Sequence, residues 1–418
     1  MAHYSSFEKA VAKGMESTPS IRNMVKTLYK RLVYHLHIPD KFLELGEGVK
    51  LHDITEHGMI DPFDALYVGY YDKNPLHPTK KTLLCHIIAD KKCFVALLDT
   101  EKKKYQILKQ TKAWNYQQGA MTQWTGDNEI IFNDYSDGSL GCRILQMETG
   151  QNIFYPFPVQ VVHPATREYL SINYRRLAAL RPDYGYFIEC ENFSTKQSYD
   201  NDGIWKVDME TGKSVLIISL EKLIHMAPEK HTHARHKVNH LYYSPNGDKF
   251  VFLHRWINKQ GKFSRLFCSD REGRNLKLLL DHRLVSHYSW INNNELIAWA
   301  RTPEYGDAYI QLNARTGRYS PIGSEALSAH GDGHPTLDPN GKYIITDTYP
   351  DKSRIRMLIL YDIKKSEIRI LGKFFSPWKF ENEKRCDLHP RWCNEHTISI
   401  DSAHEGKRKT YLIELDQG

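Results

Sequence analysis

Four histidines recur at nearly constant spacing in the second half of the chain, His240, His287, His334 and His389, at intervals of 47, 47 and 55 residues. Imidazole titrates near neutrality, acts as a general base and, when neutral, binds transition metals. Recurrence at such intervals suggests one structural position copied several times, so that the four rings would face a common axis. The blander reading is a repeat that copies a histidine bonded to its neighbouring unit. Three such imidazoles, if neutral, would suit a divalent transition metal such as manganese or zinc. No HExxH motif is present, so such a metal would be held by residues remote in sequence. A second concentration lies in SINYRRLAALRPDYGYF (171–187), with Tyr174, Arg175, Arg176, Arg181, Tyr184 and Tyr186. Arginine offers a planar fork to a carboxylate, and tyrosine can pass a proton or pack against a sugar ring. Structural arginines at a loop tip are the alternative.

The elements that must position these residues repeat as well. Strand, polar turn and strand recur at 93–108, 142–157, 203–218, 265–280, 308–323 and 357–372, with turns built on Thr-Gly or a charged equivalent. Ahead of most of them stands a shorter strand, a turn of Pro-Asn-Gly type and a longer strand, at 122–135, 161–174, 241–256, 288–301, 335–349 and 390–403. Each pair of units makes four antiparallel strands, and recurrence every 40 to 50 residues predicts the blades of a β-propeller. The last unit stops after KTYLIEL (409–415), so a fourth strand must come from elsewhere, and the segment Gly48 to Thr55 is the natural donor. The expected fold is therefore all-β: a seven-bladed propeller of four-stranded antiparallel blades over 48–418, closed by pairing of its two ends, after a helical extension over 1–47. Thr18 and Pro19 signal the start of a helix with apolar residues at 21, 24, 25, 28, 32 and 36, expected to pack on the propeller as a lid or base. Loop and short helix are expected over 184–201 and 220–237.

In this register the four histidines enter the innermost strands, which line the central channel. Gln117, Gln118, Asn133, Asp134, His254, Arg255, Arg301, Asp332, Asp347, Arg391, Asp401 and His404 fall near strand ends around it. Such a lining suits a polyhydroxylated, acidic ligand, and Gln117, Gln118, Asn133, His254, Arg255, Arg301, Arg391 and His404 are the candidate substrate contacts.

Composition narrows the partners. The 418 residues are 41% hydrophobic and 26% charged, an ordinary globular balance that excludes disorder, and the net charge of +7 favours an anionic partner. No apolar run approaches the length of a membrane span, and the N-terminus does not resemble a signal peptide, so a cytoplasmic location is expected. Seven cysteines with no CxxC pair fit a reducing compartment. Neither GxxxxGK nor GxGxxG occurs, so no nucleotide cofactor is expected, and no GxSxG elbow marks a hydrolase. The basic runs at 102–104 and 406–409 sit at hairpin tips, which makes nucleic acid an improbable partner.

The stretches WNYQQGAMTQW, RRLAALRPDYGY, NHLYYSPNGDKFVFLHRW, GDGHPTLDPNGKYIITDTYPD and CDLHPRW followed by DSAHEGKR resemble a group of seven-bladed propeller proteins found with bacterial surface-polysaccharide genes. More distantly the chain is similar to the propeller polysaccharide lyases, the oligogalacturonate and ulvan lyases. That resemblance implies β-elimination on a uronate-containing glycan. His287, His334 and His389 are the positions most similar to the histidine-rich metal site of the first group, with His240 as base. Tyr184 or Tyr186 with Arg176 or Arg181 resembles the histidine, tyrosine and arginine arrangement of the second. The metal-site glutamine of the first group has no clear equivalent. A non-catalytic propeller that binds a glycan or protein partner in capsule or surface-polysaccharide assembly is the alternative, and a gating part of a peptidase or translocation system a weaker one.

Overall fold

The hairpin turns close by one repeated device. Asp208 Oδ1 accepts the backbone N–H of Glu210 and Thr211 at 3.0 and 2.7 Å, and Asn313 does the same for Arg315 and Thr316 at 3.0 and 2.8 Å. The residue that completes each of these turns, Gly212 or Gly317, has positive φ, where glycine carries no steric penalty. Lys103 and Ser366 take that conformation in two other blades, beside Asp99 and Asp362 in the capping role.

These hairpins and the inner units assemble as expected into seven antiparallel sheets, blades one to seven, at 65–111, 123–155, 159–219, 235–280, 285–321, 336–375 and 391–415. The structure, a computed structural model, describes residue 29 and residues 31–55, 63–186, 188, 198–226 and 234–415. Second strands are sandwiched between neighbouring blades and bury both faces; in Lys249–Asn258 the run Phe250, Val251, Phe252 and Leu253 is fully excluded from solvent. Outermost strands such as Lys104–Thr111 expose most of their residues.

Ring closure uses the segment anticipated for it. Val49–Asp53 pairs antiparallel with Lys409–Leu415, from Val49 opposite Leu415 to Asp53 opposite Tyr411. The preceding stretch also contributes: Leu43–Leu45 adds a fifth strand to blade six, on the outer edge of Glu367–Phe375. Residues 31–36 are helical, and the Tyr34 ring lies 6.3 Å from Phe375 and 5.7 Å from Trp378, which seats this turn against blade six. The proposed helix start at Thr18 and Pro19 lies outside the described residues, as do much of both tip insertions and Cys190. Within the second insertion the helix Leu220–His225 is described, and a further helix at Tyr174–Leu180 precedes the first. The six described cysteines are buried and free. Among the described residues no helix is long and apolar enough to cross a membrane.

Candidate active site

Polar side chains near the ends of second strands clasp the backbone of the next blade. Asn133 of blade two brackets Val159 of blade three, accepting its N–H at 2.6 Å and donating to its carbonyl at 3.0 Å. Asp347 of blade six accepts the N–H of Leu388 and His389 at 3.1 Å each, just before blade seven begins. Asp401 of blade seven accepts the N–H of Val68 and Gly69 at 3.1 Å each, in blade one. Such contacts fix the angle at which each inner strand enters, and therefore where its first side chains point.

The third clasp delivers Tyr70 and Tyr71 to the middle of the ring. Gly69 has positive φ, and its carbonyl accepts from Arg391 at 2.7 Å and from His389 Nδ1 at 2.9 Å. The Tyr70 ring lies 5.4, 6.0 and 5.0 Å from His240, His334 and His389, and the Tyr71 ring 5.6, 5.9, 5.1 and 6.4 Å from His240, His287, His334 and His389. Successive imidazoles are 6.4, 4.2 and 4.4 Å apart, centroid to centroid. The four histidines do converge, around two buried tyrosines that fill the axis. The only hint of this hub in the sequence is the run YVGYYDK at the position where later blades carry histidine.

Each imidazole has its own electrostatic setting. Tyr71 donates its hydroxyl proton to the Tyr288 carbonyl at 3.0 Å and accepts the Tyr288 N–H at 3.1 Å. Its oxygen therefore meets His240 Nε2, 3.1 Å away, as an acceptor, which favours the Nε2–H tautomer. His240 also has positive φ, in a bulge of its strand, and stacks on Tyr288 at 4.4 Å. Burial, then the neighbouring His287 and Arg255, push its pKa well below the usual histidine value. His287 Nδ1 bonds Asp332 at 3.0 Å, which leaves Nε2 as its basic nitrogen. Burial lowers its pKa while Asp332 opposes the shift. His334 Nδ1 bonds Asp347 at 2.8 Å, and the same Asp347 oxygen accepts the His334 backbone N–H at 2.9 Å.

His334 and His389 present buried Nε2 atoms with no hydrogen-bond partner among the described residues. With Asp387 they offer ligand atoms all within 4.8 Å of one another, a set whose donor types fit a divalent transition metal. Burial would raise the Asp387 pKa, but Arg385 at 2.7 Å and Arg356 at 2.8 Å hold it well below the usual carboxylate range. A metal would thus share this carboxylate with two guanidinium groups. Asp387, Arg385 and Arg356 were not singled out from sequence; the signal available was the acid two residues before His389 in CDLHPRW.

Tyr184 joins this group. Its ring meets Tyr70 edge-on at 5.7 Å, Arg181 lies over it at 4.4 Å, and its hydroxyl accepts from Arg385 at 3.1 Å. Asp183 ties Arg181 and Arg385 together, at 3.3 and 2.8 Å. Gln117 donates to the Arg385 carbonyl at 2.7 Å; its Oε1 and that of Gln118 are buried without a partner among the described residues. Arg255 reaches the Val285 and Ser286 carbonyls, entering blade five, at 3.4 and 3.5 Å.

Other candidates have their contacts within or between blades. Arg176 is paired with Asp202 at 2.6 Å. Tyr186 stacks on Tyr174 at 4.7 Å and accepts from Asn133 at 2.7 Å. His254 lies between His236 and Arg265, each at 3.1 Å, and Arg301 pairs with Asp307 at 2.6 Å. His404 bonds Ser402 at 2.9 Å, and Arg391 pairs with Asp401 at 3.2 Å while supporting Gly69.

No family model matches the sequence, and no curated protein matches it significantly. Solved structures do match its shape. An oligogalacturonate lyase from Vibrio parahaemolyticus superposes with a TM-score of 0.60 at 14% identity, covering 89% of this chain and 97% of that one. An oligogalacturonate lyase in complex with manganese gives 0.61 at 15%, covering 89% and 98%. The β-propeller domain of the Trilobed protease from Pyrococcus furiosus gives 0.50 at 9%, covering 85% and 96%. At these identities the likeness establishes the fold, a seven-bladed propeller that is similar over nearly its whole length to the oligogalacturonate lyases and is built on a scaffold that peptidases also use.

Proposed function

We propose that the protein is a polysaccharide or oligosaccharide lyase that cleaves a uronate-containing glycan by β-elimination at the histidine cluster on the propeller axis. The observation that carries this reading is the convergence of four buried imidazoles with Tyr184, Arg181, Arg255 and Arg385 at one place. In the reaction a base removes the C5 proton, its electrons form the C4–C5 double bond, and the 4-linked oxygen leaves with a proton. Fixed cations stabilise charge that develops on the carboxylate. Arg181 and Arg385, joined through Asp183 beside Tyr184, would supply them. His287, oriented by Asp332, is the stronger candidate base, because the Nε2 of His240 faces the Tyr71 hydroxyl. Tyr184 is the candidate acid for the leaving oxygen. His334, His389 and Asp387 would hold a divalent metal, which would add positive charge beside the substrate carboxylate. The fold likeness to oligogalacturonate lyases, one of them described with manganese, supports the substrate class and the metal.

The test is ultraviolet absorbance of the unsaturated uronate when purified protein meets a panel of uronate polymers and oligomers, with and without manganese. Absence of that product across the panel would overturn the proposal. A second reading, a glycan-binding propeller without turnover, is favoured by the burial of the imidazoles, none of which is more than 3% exposed. Calorimetric binding of an acidic oligosaccharide without product would establish it.

A further inference from the structure

Blade four sets two cations face to face. Lys237, on the inner strand Arg235–Tyr243, lies directly opposite Arg255 on Lys249–Asn258. Like charges so placed repel, and Lys237 is only 4% exposed. Its ammonium has one long hydrogen bond, 3.4 Å to the Leu180 carbonyl. Arg255 has the two long contacts already described, and its Nε is buried without a partner among the described residues. Contacts at this distance are weak. Arg181 and Lys262 add positive charge around Lys237, and Asp183, the opposing carboxylate, is already committed to Arg181 and Arg385. Burial first, and then these neighbours, push the Lys237 ammonium well below its usual pKa and lower that of Arg255. On the same face of the strand, two residues on, Asn239 has a buried Oδ1 without a partner among the described residues.

An anion placed between the two cations would relieve the repulsion and complete their hydrogen bonds. We infer that Lys237 and Arg255 form an oxyanion subsite next to His240 that takes the carboxylate of a second uronate residue of the glycan, with Asn239 accepting a hydroxyl of the same sugar. This deepens the proposed function, on which its choice of ligand rests: the substrate would need two acidic residues, one at the reacting position and one here.

The experiment compares wild type, Lys237→Met and Arg255→Met by calorimetry with saturated digalacturonate and with its dimethyl ester, and by thermal unfolding with inorganic sulfate. Wild type should prefer the acid to the ester by roughly tenfold to a hundredfold, as loss of a charge-assisted hydrogen bond predicts. Both variants should lose most of that preference and most of the stabilisation by sulfate. Lys237→Met should melt no lower than wild type without anion, since it removes a buried unpaired charge; should it fail to fold, Arg255→Met carries the comparison. Retention of the acid preference in both variants overturns the subsite and leaves the glycan reading standing. Loss of sulfate stabilisation in the variants, with no saccharide bound by any of the three proteins, upholds the subsite and removes the glycan. Identical behaviour of all three proteins toward sulfate and both saccharides overturns it.

Discussion

Asp347 offers the sharpest test of how the site is held. It is 1% exposed, and its two oxygens accept four hydrogen bonds, from the His334 backbone N–H and Nδ1 and from the backbone N–H groups of Leu388 and His389. One carboxylate thereby fixes two imidazoles that belong to different blades. Asp347→Ala leaves four buried donors without an acceptor, each costing about 1–3 kcal/mol. Such costs do not add fully, because neighbours shift and water enters, so a total of about 3–6 kcal/mol is expected. With an unfolding entropy of about 2.1 cal/mol/K per residue over 418 residues, this lowers Tm by roughly 3–7 °C. Asp347→Asn keeps an acceptor for His334 but turns an NH2 group toward the other two donors, so its Tm should fall between those of wild type and the alanine variant. Differential scanning calorimetry reads both. If His334 and His389 hold manganese as proposed, its affinity, measured by titration, should fall about 10- to 100-fold in the alanine variant, because the imidazoles lose their orientation. A melting curve for Asp347→Ala that superposes on wild type would refute the clasp.

Acid should destabilise the fold well before the carboxylates titrate. Burial depresses the pKa of His86 to about 4 and lowers those of His240, His287 and His389, so the unfolded chain takes up these protons more readily than the folded one. Stability is therefore complete above about pH 6.5, the unfolded value, and is lost as pH falls from there toward the folded values, with His86 alone worth up to about 3 kcal/mol. A Tm that stays flat between those limits would contradict this. Asp332→Asn should lower kcat roughly 10²- to 10⁴-fold with little change in KM if His287 is the base, whereas equal turnover in the two proteins would exclude that role. At Gly333 an added Cβ would lie 1.8 Å from the Asp347 carbonyl oxygen, so Gly333→Ala should melt well below wild type; an unchanged curve would mean that the backbone beside His334 yields freely.

Local pattern carried much of the architecture. Turn residues and strand alternation marked the six hairpins, and the interval between His240 and His287 already marked one blade. What sequence spacing could not reveal is pairing across the ring. Arg176 was a catalytic candidate and Asn133 a candidate substrate contact; the structure sets the first against Asp202 and the second against Val159 and Tyr186. Asp387 was overlooked because its significance comes from Arg356 and His334, which are remote in sequence and adjacent in space. Tyr70 and Tyr71 escaped for a related reason: the run YVGYYDK marks their place in the blade but not their place on the axis. The strand at Leu43–Leu45 carries too few residues for alternation to register.

The closure of the ring has a temporal consequence. Leu43–Leu45 and Val49–Asp53 are among the earlier strands to leave the ribosome, yet they find partners only in blades six and seven; Glu44 and Lys373, which pair at 3.0 Å, are 329 residues apart. During synthesis these two strands must wait with open edges while the intervening blades fold. His389, Asp387 and the clasp of Asp401 on Gly69 all belong to the blade that completes last. The site would therefore be completed in the same step that seals the circle, so that an unclosed chain lacks the Asp401 clasp that brings Tyr70 and Tyr71 to the imidazoles.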